Sequence, residues 1–231
     1  MAEIEREDAV ATMQEATTRK IYDVQSAFYD ATFGRLVQQR IKRAIRHINI
    51  EETDKVLDLG IGTGASLQYY PKRGRIIGID LSSGMLALAR KRMAEMGFGE
   101  HVRLFQADAL HLPFADSTFD HVFISHVISV VSDPYLLIRE AQRVAKADAR
   151  IVIVNHFQST NRLVAMIEKW LCPLCTKLGW RTDLLLNDLV KRTGVQVDYR
   201  YKVESIDLWE TVVISNNKSA LGLPFPSLAG V

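Results

Sequence analysis

Through the middle of the chain the apolar residues gather in short runs separated by stretches of helical period. Val56-Leu57-Asp58-Leu59 enters a loop with three alternating glycines, Gly60, Gly62 and Gly64. Arg75 to Asp80, Val102 to Gln106, Phe119 to Ile124 and Ile151 to Val154 repeat the apolar form. A strand buried on both faces reads as such a run bounded by turn residues, and its alternation with helices predicts a parallel sheet wound on both sides. Ser82 or Ser83 should cap a helix through Met85, Leu86, Leu88 and Ala89 that Gly97 closes. Asp133-Pro134 should open the next, with a carboxylate cap and a proline in the first turn. Lys146 to Arg150 reads as the turn into the fifth strand. A helix through Leu184 to Lys191 should end at Gly194, and two runs of period two follow, Val195 to Val203 and Leu208 to Ser215.

The flanks have a different pattern. Residues 1 to about 20 carry few apolar anchors and read as a polar helix or arm, after which Tyr22, Phe28 and Tyr29 bring three aromatics close together. Residues 33 to 50 alternate apolar and basic positions with helical period and no acid. Leu36, Val37, Ile41, Ala44, Ile45 and Ile48 form one face, and Arg35, Arg40, Lys42, Arg43 and Arg46 decorate the rest. Such a helix packs on the sheet with a solvated basic side, or leans on anionic phospholipid as well. Residues 159 to 180 hold an apolar face broken by Pro173. Trp170 and Trp180 lie beside Lys169, Lys177 and Arg181, which fits either a helix pair covering the sheet edge or a membrane interface. Residues 217 to 231 read as a loose tail.

Composition narrows this picture. The 231 residues, 48% hydrophobic and 24% charged, suit one domain with a sizeable core. A net charge of +2 does not argue for nucleic acid. No apolar run approaches the roughly 20 residues that span a bilayer, and the acidic N-terminus is unlike a signal, so a cytoplasmic protein is expected. Cys172 and Cys175 flank Pro173 without further metal ligands nearby and read as packed thiols.

Chemistry concentrates at the C-terminal ends of the strands, where an open parallel sheet receives its ligand. The glycine loop lets a backbone approach something closely. Asp80 ends the second strand, where a carboxylate can accept from a ribose diol, and Asp108 follows the third. The set suits an adenosine. A nicotinamide-binding unit competes, since Gly60, Gly62 and Ala65 satisfy its looser glycine pattern. Asp58 inside the strand, the extra Gly64, Asp108-Ala109 and the long helical preface instead resemble class I S-adenosylmethionine-dependent methyltransferases.

That resemblance implies a Rossmann-like, doubly wound α/β sheet of seven strands with an antiparallel last strand and an N-terminal helical lid. The two C-terminal runs resemble its final antiparallel hairpin, although the turn before Ile151 lacks the family's Pro-Gly-Gly. Residues 1–50 would form the lid and a possible membrane-contacting segment, 51–216 the core with an inserted helical segment at about 159–193, and 217–231 the tail. S-adenosylmethionine would be the cofactor, leaving as S-adenosylhomocysteine, with no metal. Its implied contacts are Tyr22 from the lid, Asp58, Gly60, Gly62 and Gly64 from the first strand and loop, Asp80 and Leu81 at the ribose, Asp108 and Ala109 near the adenine, and Ser125.

The acceptor should sit beyond the fourth and fifth strands, where His126 and His156 lie. A histidine near neutral pKa can take the proton an ammonium loses before its nitrogen attacks. No Asn-Pro-Pro-Tyr type motif follows the fourth strand, which argues against nucleobase or glutamine methylation. Phe123 to Pro134, Val154 to Ser159, Leu178 to Arg181 and the strand near Trp209 resemble bacterial phosphatidylethanolamine N-methyltransferases. What this implies is stepwise methylation of the phosphatidylethanolamine amine by a monomer held peripherally at the anionic inner face of the cytoplasmic membrane. His126, His156 and Tyr29 would be catalytic, and Asn155, Trp180 and Arg181 would bind the lipid, Arg181 through its phosphate. A quinone-ring carbon or a small soluble amine is the alternative acceptor. A non-catalytic membrane module that keeps the cofactor pocket is the reading from another class.

Overall fold

The computed structural model describes residues 34–157, 184–203 and 209–217. The expectations for Tyr22, Tyr29, Cys172, Cys175, Trp180, Arg181, most of the inserted segment and the tail fall outside them.

Among the described residues one helix precedes the sheet, α1 (Gly34–Ile48). Then come β1 (Lys55–Leu59), β2 (Arg75–Asp80), α2 (Ser83–Glu95), β3 (Val102–Gln106), β4 (Phe119–Ser125), α3 (Pro134–Val144), β5 (Ala145–His156), α4 (Leu186–Thr193), β6 (Val197–Tyr201) and β7 (Trp209–Ser215). The seven strands run in the order β3-β2-β1-β4-β5-β7-β6. β1 to β5 pair in parallel, whereas β7 is antiparallel to both β5 and β6. The expected seven-stranded α/β architecture is therefore present, including its reversed last strand.

Strand alternation sends successive side chains to opposite faces, so each face has its own core. Ile41, Ala44, Ile45 and Ile48 of α1 and Leu86 of α2 pack with Val56, Ile76, Phe123, Val152 and Val213. Leu137, Ile138 and Ala141 of α3 and Leu186 and Leu189 of α4 cover Leu57, Leu59, Val122, Ile151 and Ile153. The caps follow the sequence. The Met85 N–H donates to the Ser82 hydroxyl at 3.1 Å, and Asp133 Oδ1 accepts from the N–H groups of Tyr135 and Leu136. Gly97 and Gly194 stand at positive φ just past α2 and α4.

Two expectations need correction. The fifth strand begins at Ala145 rather than Ile151, with no free turn before it. Its pairing to β4 is interrupted between Phe119 and His121, and Asp148 sits at φ 63°. Asn216 closes that irregularity, its amide nitrogen 3.0, 3.1 and 3.0 Å from the carbonyls of Gln142, Ala145 and Lys146. A side chain remote in sequence thus satisfies the backbone that a Pro-Gly-Gly turn would otherwise manage. Arg40, expected on the solvated side of α1, is 8% exposed, with its guanidinium 4.6 Å from the Trp209 ring centroid. It lies one turn before Ala44, at the border of the apolar face, and a guanidinium stacks readily on an indole.

The loop from Asp108 to Ser117, which carries one of the expected site carboxylates, is held by a single arginine. Arg143 of α3 donates to the carbonyls of Leu112 and Phe114, to Asp116, and to both oxygens of Glu140. Glu140 in turn accepts from the Leu112 N–H at 2.9 Å. Arg143→Ala should destabilise the fold by about 3 kcal/mol, because it leaves a largely enclosed carboxylate unpaired and two carbonyls without donors. For a chain of this size that lowers Tm by roughly 6–12 °C, which calorimetry reads directly.

Candidate active site

At the end of β1 the N–H groups of Gly60 and Ile61 both donate to the Ile79 carbonyl of β2, at 2.8 and 2.9 Å. The chain then reverses through Gly60 at φ 70° and Gly62 at φ 57°. A Cβ on Gly60 would lie 2.1 Å from Val127 Cγ2, so the loop is pressed against the segment that follows β4. Gly62 is different. Among the described residues a Cβ there would meet nothing nearer than the Gly60 carbonyl at 4.0 Å, so this turn of the loop is open where Gly60 is packed.

Asp80, at the end of β2, fixes that opening. Its Oδ2 accepts from the Gly62 N–H at 2.8 Å and its Oδ1 from the Ser82 N–H at 2.9 Å. Asp108 stands beyond β3, where Oδ1 accepts from the Leu110 N–H and Oδ2 lies 3.2 Å from His111 Nδ1. Leu81 and Phe105, next to these positions in the chain, are 38% and 43% exposed although large and apolar. Two carboxylates and apolar surface therefore gather at the C-terminal edge of adjacent strands.

Asp58 is buried beneath the loop, and Ser66 and Tyr70 both donate to its Oδ2, at 2.6 and 2.9 Å. Desolvation pushes its pKa up to about 6; the two hydrogen bonds oppose the shift and the Asp80 charge adds to it. Both of these hydrogen bonds go to the same carboxylate oxygen. Because the folded pKa lies above the unfolded value near 3.8, the native state binds the proton more tightly. The carboxylate's contribution therefore falls as pH rises from about 4 to about 6, and the charged form at neutral pH costs on the order of 3 kcal/mol. Asp58→Asn should gain on the unaltered chain by about 2 kcal/mol between pH 4.5 and pH 7.5, since part of the shift already acts at the lower pH. Denaturant unfolding at the two pH values measures the difference.

The acceptor-side residues meet around β4, β5 and β7. His126 follows β4 at φ 60°, in the left-handed region where histidine is less unwelcome than most residues, and its N–H donates to the Val154 carbonyl at 2.8 Å. His156 ends β5 directly opposite Trp209 of β7. The His126 ring stands edge-on to Trp209 with centroids 6.1 Å apart, and Arg40 stacks on the same indole. The structure thus brings the two predicted histidines to one tryptophan. Ser125 Oγ, on β4, is enclosed and makes no hydrogen bond. Asn155 is fully buried, its Oδ1 accepting from Ser129 at 3.3 Å and its Nδ2 donating to the His156 carbonyl at 2.7 Å. Its carboxamide therefore ties β5 to the segment that carries His126.

A family described as a methyltransferase domain matches residues 57–153. A phosphatidylethanolamine N-methyltransferase of Cereibacter sphaeroides is 39% identical over 171 residues, which is 74% of this chain and 84% of that protein. The chain belongs to the S-adenosylmethionine-dependent methyltransferases. This methyltransferase is also 31% identical over 166 residues to a demethylmenaquinone methyltransferase of Lactobacillus johnsonii, covering 69% of its own chain but 63% of the relative. Among solved structures, a SAM-dependent methyltransferase from Aquifex aeolicus shares the fold with a TM-score of 0.63 at 19% identity, over 84% of this chain and 97% of that one.

The residues fit the family's cofactor. The open side of Gly62 suits a ligand against the backbone, the Asp58 carboxylate beneath the loop suits an α-ammonium, and the carboxylates at the ends of β2 and β3 suit a ribose and an adenine edge. S-adenosylmethionine, when bound, supplies a methyl group already activated by a sulfonium. Two residues stand closer to the site than their place in the sequence suggests. Arg40 read as one of several basic positions on α1, and Trp209 as the start of a strand. The available clue was their placement: an arginine bordering the apolar face of a helix, and an indole at the mouth of the sheet.

Proposed function

We propose that this methyltransferase transfers methyl groups to the amine of phosphatidylethanolamine and its mono- and dimethyl forms, giving phosphatidylcholine, at an anionic membrane surface. The observation that carries the reading is the relative of that activity, of which the chain spans 84% at 39% identity, against 63% at 31% for the quinone-methylating relative. No helix among the described residues is long and apolar enough to cross a membrane, so the lipid would be met at a surface.

Methyl transfer to nitrogen needs a neutral amine aligned with the methyl carbon and water kept out. His126 and His156, converging on Trp209, are the groups available to take or relay the ammonium proton. Tyr22 would close over the methionine end, and Tyr29 and Trp180 would meet the acceptor. Arg181 would meet the lipid phosphate, which a guanidinium binds in a bidentate fashion.

The test is incubation with radiolabelled S-adenosylmethionine and liposomes of phosphatidylethanolamine and an anionic lipid, followed by chromatography of the lipids. Label should run with mono-, di- and trimethylated species. Unlabelled phosphatidylethanolamine alongside a labelled demethylmenaquinone would transfer the assignment to the second relative's chemistry. His156→Ala should lower kcat roughly 100-fold with cofactor affinity unchanged, the usual share of a proton-transfer residue. Full turnover would remove the residue from the mechanism.

A further inference from the structure

We propose that Arg40, stacked over Trp209, makes the acceptor side of this methyltransferase favour an uncharged amine over an ammonium, and so drives out a fully methylated product. The inference rests on the proposed function in taking the acceptor to be an amine. α1 runs down the sheet against β5, with its first turns at the edge where that acceptor would lie. Arg40 there sits 4.6 Å from the Trp209 ring centroid, whereas the His47 carbonyl, near the other end of the helix, accepts from Arg150 at 2.8 Å. The guanidinium is only 8% exposed, so water screens it little. Trp209 lies opposite His156 in the pairing of β5 with β7, and the His126 ring stands edge-on to the indole at 6.1 Å. A fixed positive charge and both candidate proton acceptors therefore share one side chain. Glu210, the acid next in the chain, turns to the other face of the sheet and meets Arg200 at 3.6 Å.

Charge decides what such a site holds. An indole face attracts ammonium ions, methylated ones included, but at Trp209 a guanidinium already takes that attraction, and a second cation beside it is repelled. An amine that has given its proton to His126 or His156 is not. Transfer breaks a carbon–sulfur bond, forms a carbon–nitrogen bond and moves the positive charge from sulfur to nitrogen. After the first and second transfers the new ammonium still carries N–H groups, so a histidine can again take a proton and restore an uncharged acceptor. After the third it carries none. The trimethylated headgroup is then a permanent cation beside Arg40, and its release follows.

Calorimetric titration of the protein saturated with S-adenosylhomocysteine tests this without any methylation. The probes are two short-chain lipids of one shape: phosphatidylcholine, and its analogue with a tert-butyl carbon in place of the trimethylammonium nitrogen. The unaltered protein should bind the lipid with the uncharged terminus more tightly. Arg40→Gln should cut that preference about 30-fold, the size expected for a cation at a desolvated indole face. Arg40→Lys, which keeps the charge, should keep the preference. Damage to the fold weakens both lipids alike and leaves their ratio where it was. Equal affinities in the unaltered protein overturn the proposal without recourse to a variant. So does a ratio that Arg40→Gln leaves unchanged, or that Arg40→Lys loses as fully as Arg40→Gln. If neither lipid binds, the phospholipid acceptor falls and the inference falls with it; if both bind and the ratio does not respond, the acceptor stands and only the role of Arg40 is removed.

Discussion

Gly62→Ala should give a folded protein that has lost its cofactor, whereas Gly60→Ala should damage the fold itself. Both positions have positive φ, so either alanine meets the left-handed penalty of roughly 1–2 kcal/mol. At Gly62 that is nearly the whole structural cost, since among the described residues the added methyl would meet nothing closer than the Gly60 carbonyl at 4.0 Å. A Tm lower by roughly 2–8 °C is expected. The methyl would instead fill the space that a ligand against the loop must use, and displacing a bound reactant by about 1 Å can cost 100-fold. Cofactor Kd should therefore rise, and kcat/KM fall at least about 100-fold. At Gly60 the new Cβ would collide with Val127 at 2.1 Å, and Val127 is packed into the core. Overpacking of this kind adds about 1–3 kcal/mol to the dihedral strain, for a Tm loss near 10 °C. Thermal melts with and without cofactor separate the two outcomes, and comparable behaviour of both variants would show that the loop does not discriminate between its packed and its open glycine.

The contrast between those glycines also marks how far the sequence alone can be read. Spacing makes the loop legible because three alternating glycines after an apolar run are rare, and the same holds for Ser82, Asp133-Pro134 and Gly97, whose roles are local. Periodicity reports which face of an element is buried, so α1 and each strand appear near their observed places. It does not report neighbours. Nothing near Arg40 in the chain announces that Trp209 lies under its guanidinium, and nothing near Lys146 announces that Asn216 stitches the start of β5. Asp58 belongs to the same class: as a lone acid in an apolar strand it suggests a ligand, but Ser66 and Tyr70, which make its burial tolerable, come into view only with the fold. Errors of this kind arise wherever tertiary contacts override a helical or strand pattern.

Asp80→Ala should lower kcat/KM for S-adenosylmethionine about 1,000-fold while leaving the protein folded. The carboxylate does two jobs at once. It accepts from Gly62 and Ser82, holding the loop and the start of α2 to the end of β2, and it is expected to accept from a ribose diol as well. Hydrogen bonds to a charged acceptor are worth about 1.5–3 kcal/mol each, so two lost to the ribose account for roughly three orders of magnitude. Asp80→Asn will not rescue the site, because a carboxamide presents N–H groups toward one of two backbone donors that both need an acceptor. The two jobs separate by ligand-induced stabilisation. At about 100 times its Kd a cofactor stabilises the folded state by about 2.7 kcal/mol, and that increment in Tm should vanish in Asp80→Ala at the same concentration. If the variant lost only basal stability and kept the full increment, Asp80 would be a strut of the loop alone. The same substitution removes the charge that helps raise the Asp58 pKa, so Asp58 should then titrate below about 6. A shift in that direction would confirm that the two carboxylates sense one another across the glycine loop, independently of what the loop binds.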